Sequence, residues 1–129
     1  MKPKILIVLA DYYREISAEM LDSTIDYIDK KSKFNLIRVP GVFEIPVVIS
    51  KNIKKYDGFI ALGCVIKGET PHFDFISQAT TNAIMQLSID HKKAIGNGII
   101  TALNKDQASN RSIKKGEEAA KAVFSVLSK

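Results

Sequence analysis

The chain has 129 residues, 46% of them hydrophobic and 26% charged. These are the proportions of an ordinary single globular domain, able to bury about two-thirds of its unfolded surface. A formal charge of +5 raises nucleic acid as a partner. However, Lys30, Lys31, Lys33, Lys54, Lys55, Lys92 and Lys93 fall where helices are expected to end, complementing the negative pole of the helix dipole. No basic stripe with interleaved aromatics is present, so nucleic-acid binding is set aside. No apolar run reaches the ~20 residues of a bilayer span, which sets aside a membrane protein. The opening MKPKILIVLADYY has too short an apolar run for a signal segment and lacks a cleavage site. Cys64 is the sole cysteine, so no intrachain disulfide forms and the reducing cytoplasm is the expected compartment.

In chain order, Lys4 to Ala10 (KILIVLA) reads as a buried strand, followed by Asp11, Tyr12 and Tyr13 without the glycine fingerprint of a dinucleotide site. Ile16, Met20, Leu21, Ile25 and Ile28 recur at helical spacing and predict a helix from about Arg14 to Lys31. Phe34 to Val39 (FNLIRV) alternates like a strand until Pro40 and Gly41 break it. Phe43 and Glu44 then lead into a helix from about Ile45 to Lys55. From Phe59 to Ile66 runs an apolar stretch interrupted only by Gly63. It is too short for a helix and reads as a strand buried on both faces.

The chemistry then changes within a few residues. Lys67, Gly68, Glu69 and Thr70 form a polar turn; Thr70 suits an N-cap and Pro71 the first helical position. That places His72 in the first turn of a helix running to about Asp90, with Ile76, Ala79, Ala83 and Leu87 on one face. Ala94 to Thr101 (AIGNGIIT) is a fourth strand whose Gly96 and Gly98 admit close approach of a backbone or a ligand. A short helix over Lys105 to Arg111 and a last one over Gly116 to Leu127 close the chain, the latter burying Ala119, Ala120, Val123 and Leu127.

Four alternations of strand and helix, joined by right-handed crossovers, predict a three-layer α/β/α domain around a four-stranded parallel, flavodoxin-like sheet. In such sheets ligands bind at the C-terminal edge of the strands. Tyr12, Tyr13, Phe43, Glu44, the Gly68-to-His72 turn and Asn97 are all expected near that edge. A helix N-terminus there favours phosphate, and its positive potential leaves His72 suited to accept a proton. The plainer alternatives are a capping or packing His72, a packing Tyr12 and a buried, inert Cys64. His91 reads as a cation at a helix C-terminus.

Four blocks of the sequence, ILIVLADYY, VPGVFEIPVVISK, YDGFIALGCVIKGETPHFDF and AIGNGIIT, together with NRSIKKG, resemble the lumazine synthase family in order and over most of the chain, residues 1–129 forming one such domain. The nearest form carries a tyrosine after the stacking aromatic, here Tyr12–Tyr13. The resemblance implies condensation of 5-amino-6-(D-ribitylamino)uracil with 3,4-dihydroxy-2-butanone 4-phosphate to 6,7-dimethyl-8-ribityllumazine, phosphate and water, with no metal or organic cofactor. It implies that Tyr12 stacks on the pyrimidine and that Val42, Phe43 and Glu44 contact the ribityl chain and ring. Cys64, Val65 and Ile66 would offer backbone groups to the uracil edge, and Asn97 a further pyrimidine contact. Glu69, Thr70 and Arg111 would hold the butanone phosphate, His72 would carry protons, and Lys115 matches a site lysine.

The family also implies a ring of subunits, a homopentamer, with Tyr12, Glu44 and His72 on one side of a shared site and Asn97, Arg111 and Lys115 on the other. The sequence departs from the family pattern at Tyr12, where phenylalanine or tryptophan is usual, and at Lys67, where arginine is common. The Arg111-to-Lys115 segment and the segment before Lys4 are both short. The competing readings are a riboflavin synthase of the archaeal kind, which lacks a phosphate-bearing substrate, and a non-catalytic receiver-like or nucleotide-binding module. The latter would need an acceptor aspartate or a phosphate loop, whereas the central strand ends in Val65, Ile66 and Lys67.

Overall fold

The computed structural model describes residues 2–68 and 71–129. Its elements are β1 (Lys4–Ala10), α1 (Arg14–Ile28), β2 (Lys33–Val39), a 3₁₀ turn (Val42–Glu44), α2 (Ile45–Lys51), β3 (Gly58–Ile66), α3 (His72–His91), β4 (Ala94–Ala102) and α4 (Lys105–Leu127). The strands form one parallel sheet in the order β2-β1-β3-β4, the flavodoxin-like arrangement expected. Winding reverses direction after β2, so α1 and α2 fall on opposite faces.

Alternation along the strands assigns the two cores. Ile5, Ile7 and Leu9 of β1, with Ile60 and Leu62 of β3, pack under α1 and α4. Leu6, Val8 and Ala10, with Phe59 and Ala61, pack under α2 and α3. From Gly58 to Cys64 β3 is wholly buried, and it becomes half-buried only at Val65 and Ile66.

Four local expectations are corrected. First, α4 is one helix of 23 residues, not two. It is opened by Asn104, whose side chain accepts from the Gln107 N–H at 2.9 Å. Gly116, expected to start a second helix, instead lies inside the first, against the α1 backbone; a Cβ there would overlap the Met20 carbonyl oxygen and the Ser23 hydroxyl. Thr24 Oγ1 donates to the Gly116 carbonyl at 3.0 Å across the same contact. Second, Leu127 is exposed rather than buried, as is the whole last stretch of α4 from Ser125.

Third, α3 turns inward Thr80 and Ile84, flanked by the half-buried Ile76 and Leu87. Ala79 is exposed and Ala83 only half-buried, since alanine carries too little apolar area to fix the rotation of a helix. Fourth, α2 stops at Lys51 and continues as turns. The Asn52 amide donates to the Val48 carbonyl at 2.8 Å and competes with further helix.

The glycines of β4 serve a backbone. A Cβ on Gly96 would overlap the Ala119 carbonyl oxygen and lie 2.9 Å from its carbonyl carbon. On Gly98 it would fall 2.6 Å from Leu62 Cδ2 and 3.1 Å from Ala119 Cβ. Helix α4 therefore rests directly on the edge strand, and a methyl at Gly96 would have to displace the Ala119 main chain as well as Val123 Cγ2. Gly96→Ala is expected to destabilise the protein by about 1–3 kcal/mol, toward the upper end, as a lowered urea midpoint at unchanged slope. A midpoint equal to the parent would mean that the helix yields freely.

Candidate active site

A cavity of about 580 Å³ opens at the C-terminal ends of β1 and β3, where the direction of winding reverses. The turn after β1 contributes Tyr12 and Tyr13, and the 3₁₀ turn contributes Val42, Phe43 and Glu44 with the preceding Gly41. Strand β3 contributes Cys64, Val65 and Ile66, and α3 contributes His72 and Ile76. The volume lies within the usual range for a small-molecule site.

Each side chain has a local reason for its position. The Asp11 N–H donates to the Val39 carbonyl at 3.2 Å, carrying the sheet one residue beyond β1 before the chain turns. Tyr12 then projects from that turn and is 74% exposed, while Tyr13 is half-buried against the α1/α4 core. Gly41 N–H donates to Glu44 Oε1 at 3.0 Å, which holds the carboxylate at the mouth and leaves Oε2 for other donors. Phe43 is 61% exposed over the same opening. At the end of β3, the Lys67 N–H donates to the Ala102 carbonyl at 2.9 Å, so the ladder with β4 persists to the rim. Helix α3 begins at His72 with Pro71 as its cap residue, one position later than expected. Thr70, expected to cap it, and Glu69 lie outside the described residues.

Three expected site residues lie elsewhere in this chain. Asn97 was expected near a strand C-terminus but stands in the middle of β4, paired with Ala61, because the strand runs on to Ala102. Its Oδ1 accepts from the Ile99 N–H at 3.1 Å, and its side chain is exposed. Arg111, on the second turn of α4, donates from Nη1 to the Thr101 carbonyl at 3.2 Å. Arg111 and Lys115 border a separate shallow recess with Asn110, Lys114 and Glu118. Conversely, Tyr13, expected at this edge but given no role there, lines the cavity, as do Gly41 and Ile76, which the sequence reading did not place in the site. Tyr13 had a signal, its place beside Tyr12; Ile76 looked like any core position of a helix.

Burial pushes the Cys64 thiol up to about 11, well above its ordinary value, so it is a neutral, weakly nucleophilic group at physiological pH. Among the described residues no three His, Cys, Asp or Glu side chains converge as metal ligands, and no helix is long and apolar enough to cross a membrane.

Cys64 gives a direct check. At pH 8 iodoacetamide should alkylate the native thiol on the order of a hundredfold more slowly than the urea-unfolded chain. The native rate should keep rising to about pH 11, the value to which burial lifts the thiol, whereas the unfolded rate levels off near pH 9. Equal native and unfolded rates at pH 8 would show the thiol to be open and activated.

A sequence profile of the 6,7-dimethyl-8-ribityllumazine synthase family matches residues 2–129. A 6,7-dimethyl-8-ribityllumazine synthase from Bartonella tribocorum is 40% identical, the match covering 98% of this chain and 89% of the relative. The enzyme of that name from Agrobacterium fabrum is 38% identical over 98% of this chain and 93% of the relative. A 6,7-dimethyl-8-ribityllumazine synthase 1 from Rhizobium meliloti is 37% identical over 95% and 88%.

Proposed function

The chain belongs to the 6,7-dimethyl-8-ribityllumazine synthase family, and on that premise we infer that it condenses 5-amino-6-(D-ribitylamino)uracil with 3,4-dihydroxy-2-butanone 4-phosphate in riboflavin biosynthesis. The observation that carries the reading is convergence. Four separate segments, ending β1, preceding α2, ending β3 and opening α3, bring Tyr12, Phe43, Glu44, Cys64 to Ile66 and His72 to one cavity. The archaeal-type riboflavin synthase and the receiver-like module are not favoured by the family match.

The roles follow from the groups available. Tyr12 offers a ring face for stacking on the pyrimidine. Glu44, with one carboxylate oxygen held by Gly41, accepts from ribityl hydroxyls through the other, while Val42 and Phe43 close over the chain. Cys64, Val65 and Ile66 present backbone groups to the uracil edge, the Cys64 thiol taking no covalent part. Glu69 and Thr70, outside the described residues, are assigned to the butanone phosphate on the family likeness; the helix dipole at the start of α3 favours an anion.

His72 borders the cavity and serves as the proton carrier. It assists loss of water from the carbinolamine, takes a proton from carbon as phosphate leaves, and helps the enol tautomerise before ring closure. With both substrates the purified protein should generate lumazine fluorescence and phosphate faster than the spontaneous condensation. His72→Ala should slow turnover by about 10²-fold or less, because the reaction also proceeds unaided, and should leave pyrimidine affinity nearly intact. No rate above background would overturn the enzyme reading, and undiminished turnover in the variant would remove His72 from it.

The site is completed by a neighbour in a homopentameric ring, in the cytoplasm to which the lone Cys64 also points. Two features of the chain support the ring. Asn97, Arg111 and Lys115 do not line the cavity of their own chain, and the latter two border a separate recess. Helix α3 is also unusually uncharged on its outer face: from Phe75 to Ile89 its exposed residues are Phe75, Gln78, Ala79, Thr81, Asn82, Met85, Gln86 and Ile89. Such a face suits contact with another copy better than contact with water. Arg111 of one subunit then reaches the phosphate held at the next.

Subunit mixing tests this. His72→Ala and Arg111→Ala proteins, each of low activity, are unfolded together and refolded as mixed rings. Random order should regenerate intact sites at roughly one interface in four. Mixed rings, verified by mass, that recover no activity would place both residues in one chain's site.

A further inference from the structure

Tyr13 has no role in the assignment above, although it borders the cavity as directly as Tyr12 does. The two rings meet edge to face, with centroids 4.9 Å apart and planes at 81°. Their anchoring differs sharply. Tyr12 stands mostly in solvent, whereas Tyr13 is half-buried and packs against the core beneath α1 and α4. The backbone around Tyr13 is fixed as well: its carbonyl accepts from the Ser17 N–H at 2.9 Å, and Ser17 Oγ donates to the Ala10 carbonyl at 2.8 Å, tying the start of α1 to the end of β1.

Tyr12 has space on both sides. It lines the main cavity and also a second recess of about 250 Å³, bordered by Tyr13, Arg14, Glu15, Ile16 and Lys105. A ring between two open volumes has a rotor to lose when it stacks on a ligand, and Tyr13 is its one aromatic neighbour among the described residues. The Tyr13 phenol is pushed above its ordinary pKa by burial, then by Cys64 and Tyr12, so it remains a neutral ring at working pH.

We infer that Tyr13 is a positioning residue: its core-packed ring, set edge to face with Tyr12, fixes the plane of Tyr12, so that Tyr12 presents a face, rather than an edge, to a planar heteroaromatic ligand in the cavity. The inference rests on the functional reading above, in which that ligand is the pyrimidine. It divides two adjacent tyrosines into one that touches the ligand and one that holds the first.

The test is a fluorescence titration with 6,7-dimethyl-8-ribityllumazine, together with relaxation of the ¹³C-labelled Tyr12 ring in the unliganded protein. Tyr13→Phe keeps the edge and should bind within about twofold of the parent. Tyr13→Leu removes it and should weaken binding about 2- to 12-fold, with faster Tyr12 ring motion and little change in turnover at saturation. In a Tyr12→Leu background, Tyr13→Leu should add nothing, since its effect passes through Tyr12. Equal losses in both backgrounds, failure of Tyr13→Phe to rescue, or an unaltered Tyr12 ring would overturn the inference. Tyr13→Met serves if the leucine variant does not fold. Should the parent protein bind no lumazine, the functional reading falls, and the ring measurement still decides whether Tyr13 holds Tyr12.

Discussion

The structure depends on β3 being covered everywhere except at its end. The strand is paired with β1 on one side and β4 on the other, and from Gly58 to Cys64 both of its faces are buried. A strand so enclosed has no room for an unpaired polar group, whose burial would cost several kcal/mol. Polar chemistry can therefore appear only where the chain leaves the sheet. It does so abruptly, at Lys67 and Gly68, and α3 opens four residues later. Because the sheet is parallel, β1 leaves at the same edge, so Tyr12 and Tyr13 arrive beside the end of β3 without any element devoted to bringing them there.

The same enclosure explains the glycines. For β3 to be buried on the α4 side, α4 must lie low over the sheet, and the edge strand β4 carries no side chain at Gly96 or Gly98 to hold it off. Gly116 repeats the device on the helix, letting the α1 backbone approach. Where polar side chains remain in this contact they are paired: Ser112 Oγ donates to Glu19 Oε2 at 2.8 Å, and Thr24 to the Gly116 carbonyl. Small residues thus decide the height of α4, and the height of α4 decides where Arg111 stands.

Much of this was legible in the residues. The limits of β1 follow from an unbroken apolar run ended by Asp11, and the polarity of β3 pointed to the correct edge of the sheet. Helix rotation and continuity were less readable. In α3, Ile76 and Leu87 belong to either of two stripes, and the sequence offers the alanines at 79 and 83 as readily as Thr80 and Ile84; the choice is made by the sheet beneath. In α4, Gly116 reads as a boundary because glycine weakens helices, yet here it is kept inside one by a partner helix that tolerates nothing larger. The cavity members at strand ends and turns, Tyr13 among them, could be placed from the sequence, whereas Ile76 enters it through the rotation of α3, which packing alone decides.

What the fold leaves unfinished is as informative as what it builds. A site that binds a small molecule well covers most of its surface. Here Tyr12 and Phe43 stand on the rim with 74% and 61% of their own surfaces open, so a ligand resting on them would face water on its far side. Arg111, on α4, donates to the Thr101 carbonyl near the C-terminal end of β4 and does not line the cavity. On the proposed ring a second copy would supply both wants at once, offering cover for the exposed rim and a cation from outside, and would take the uncharged face of α3 out of water. The half-built cavity and the misplaced arginine are, on the proposed ring, one fact seen from two neighbouring subunits.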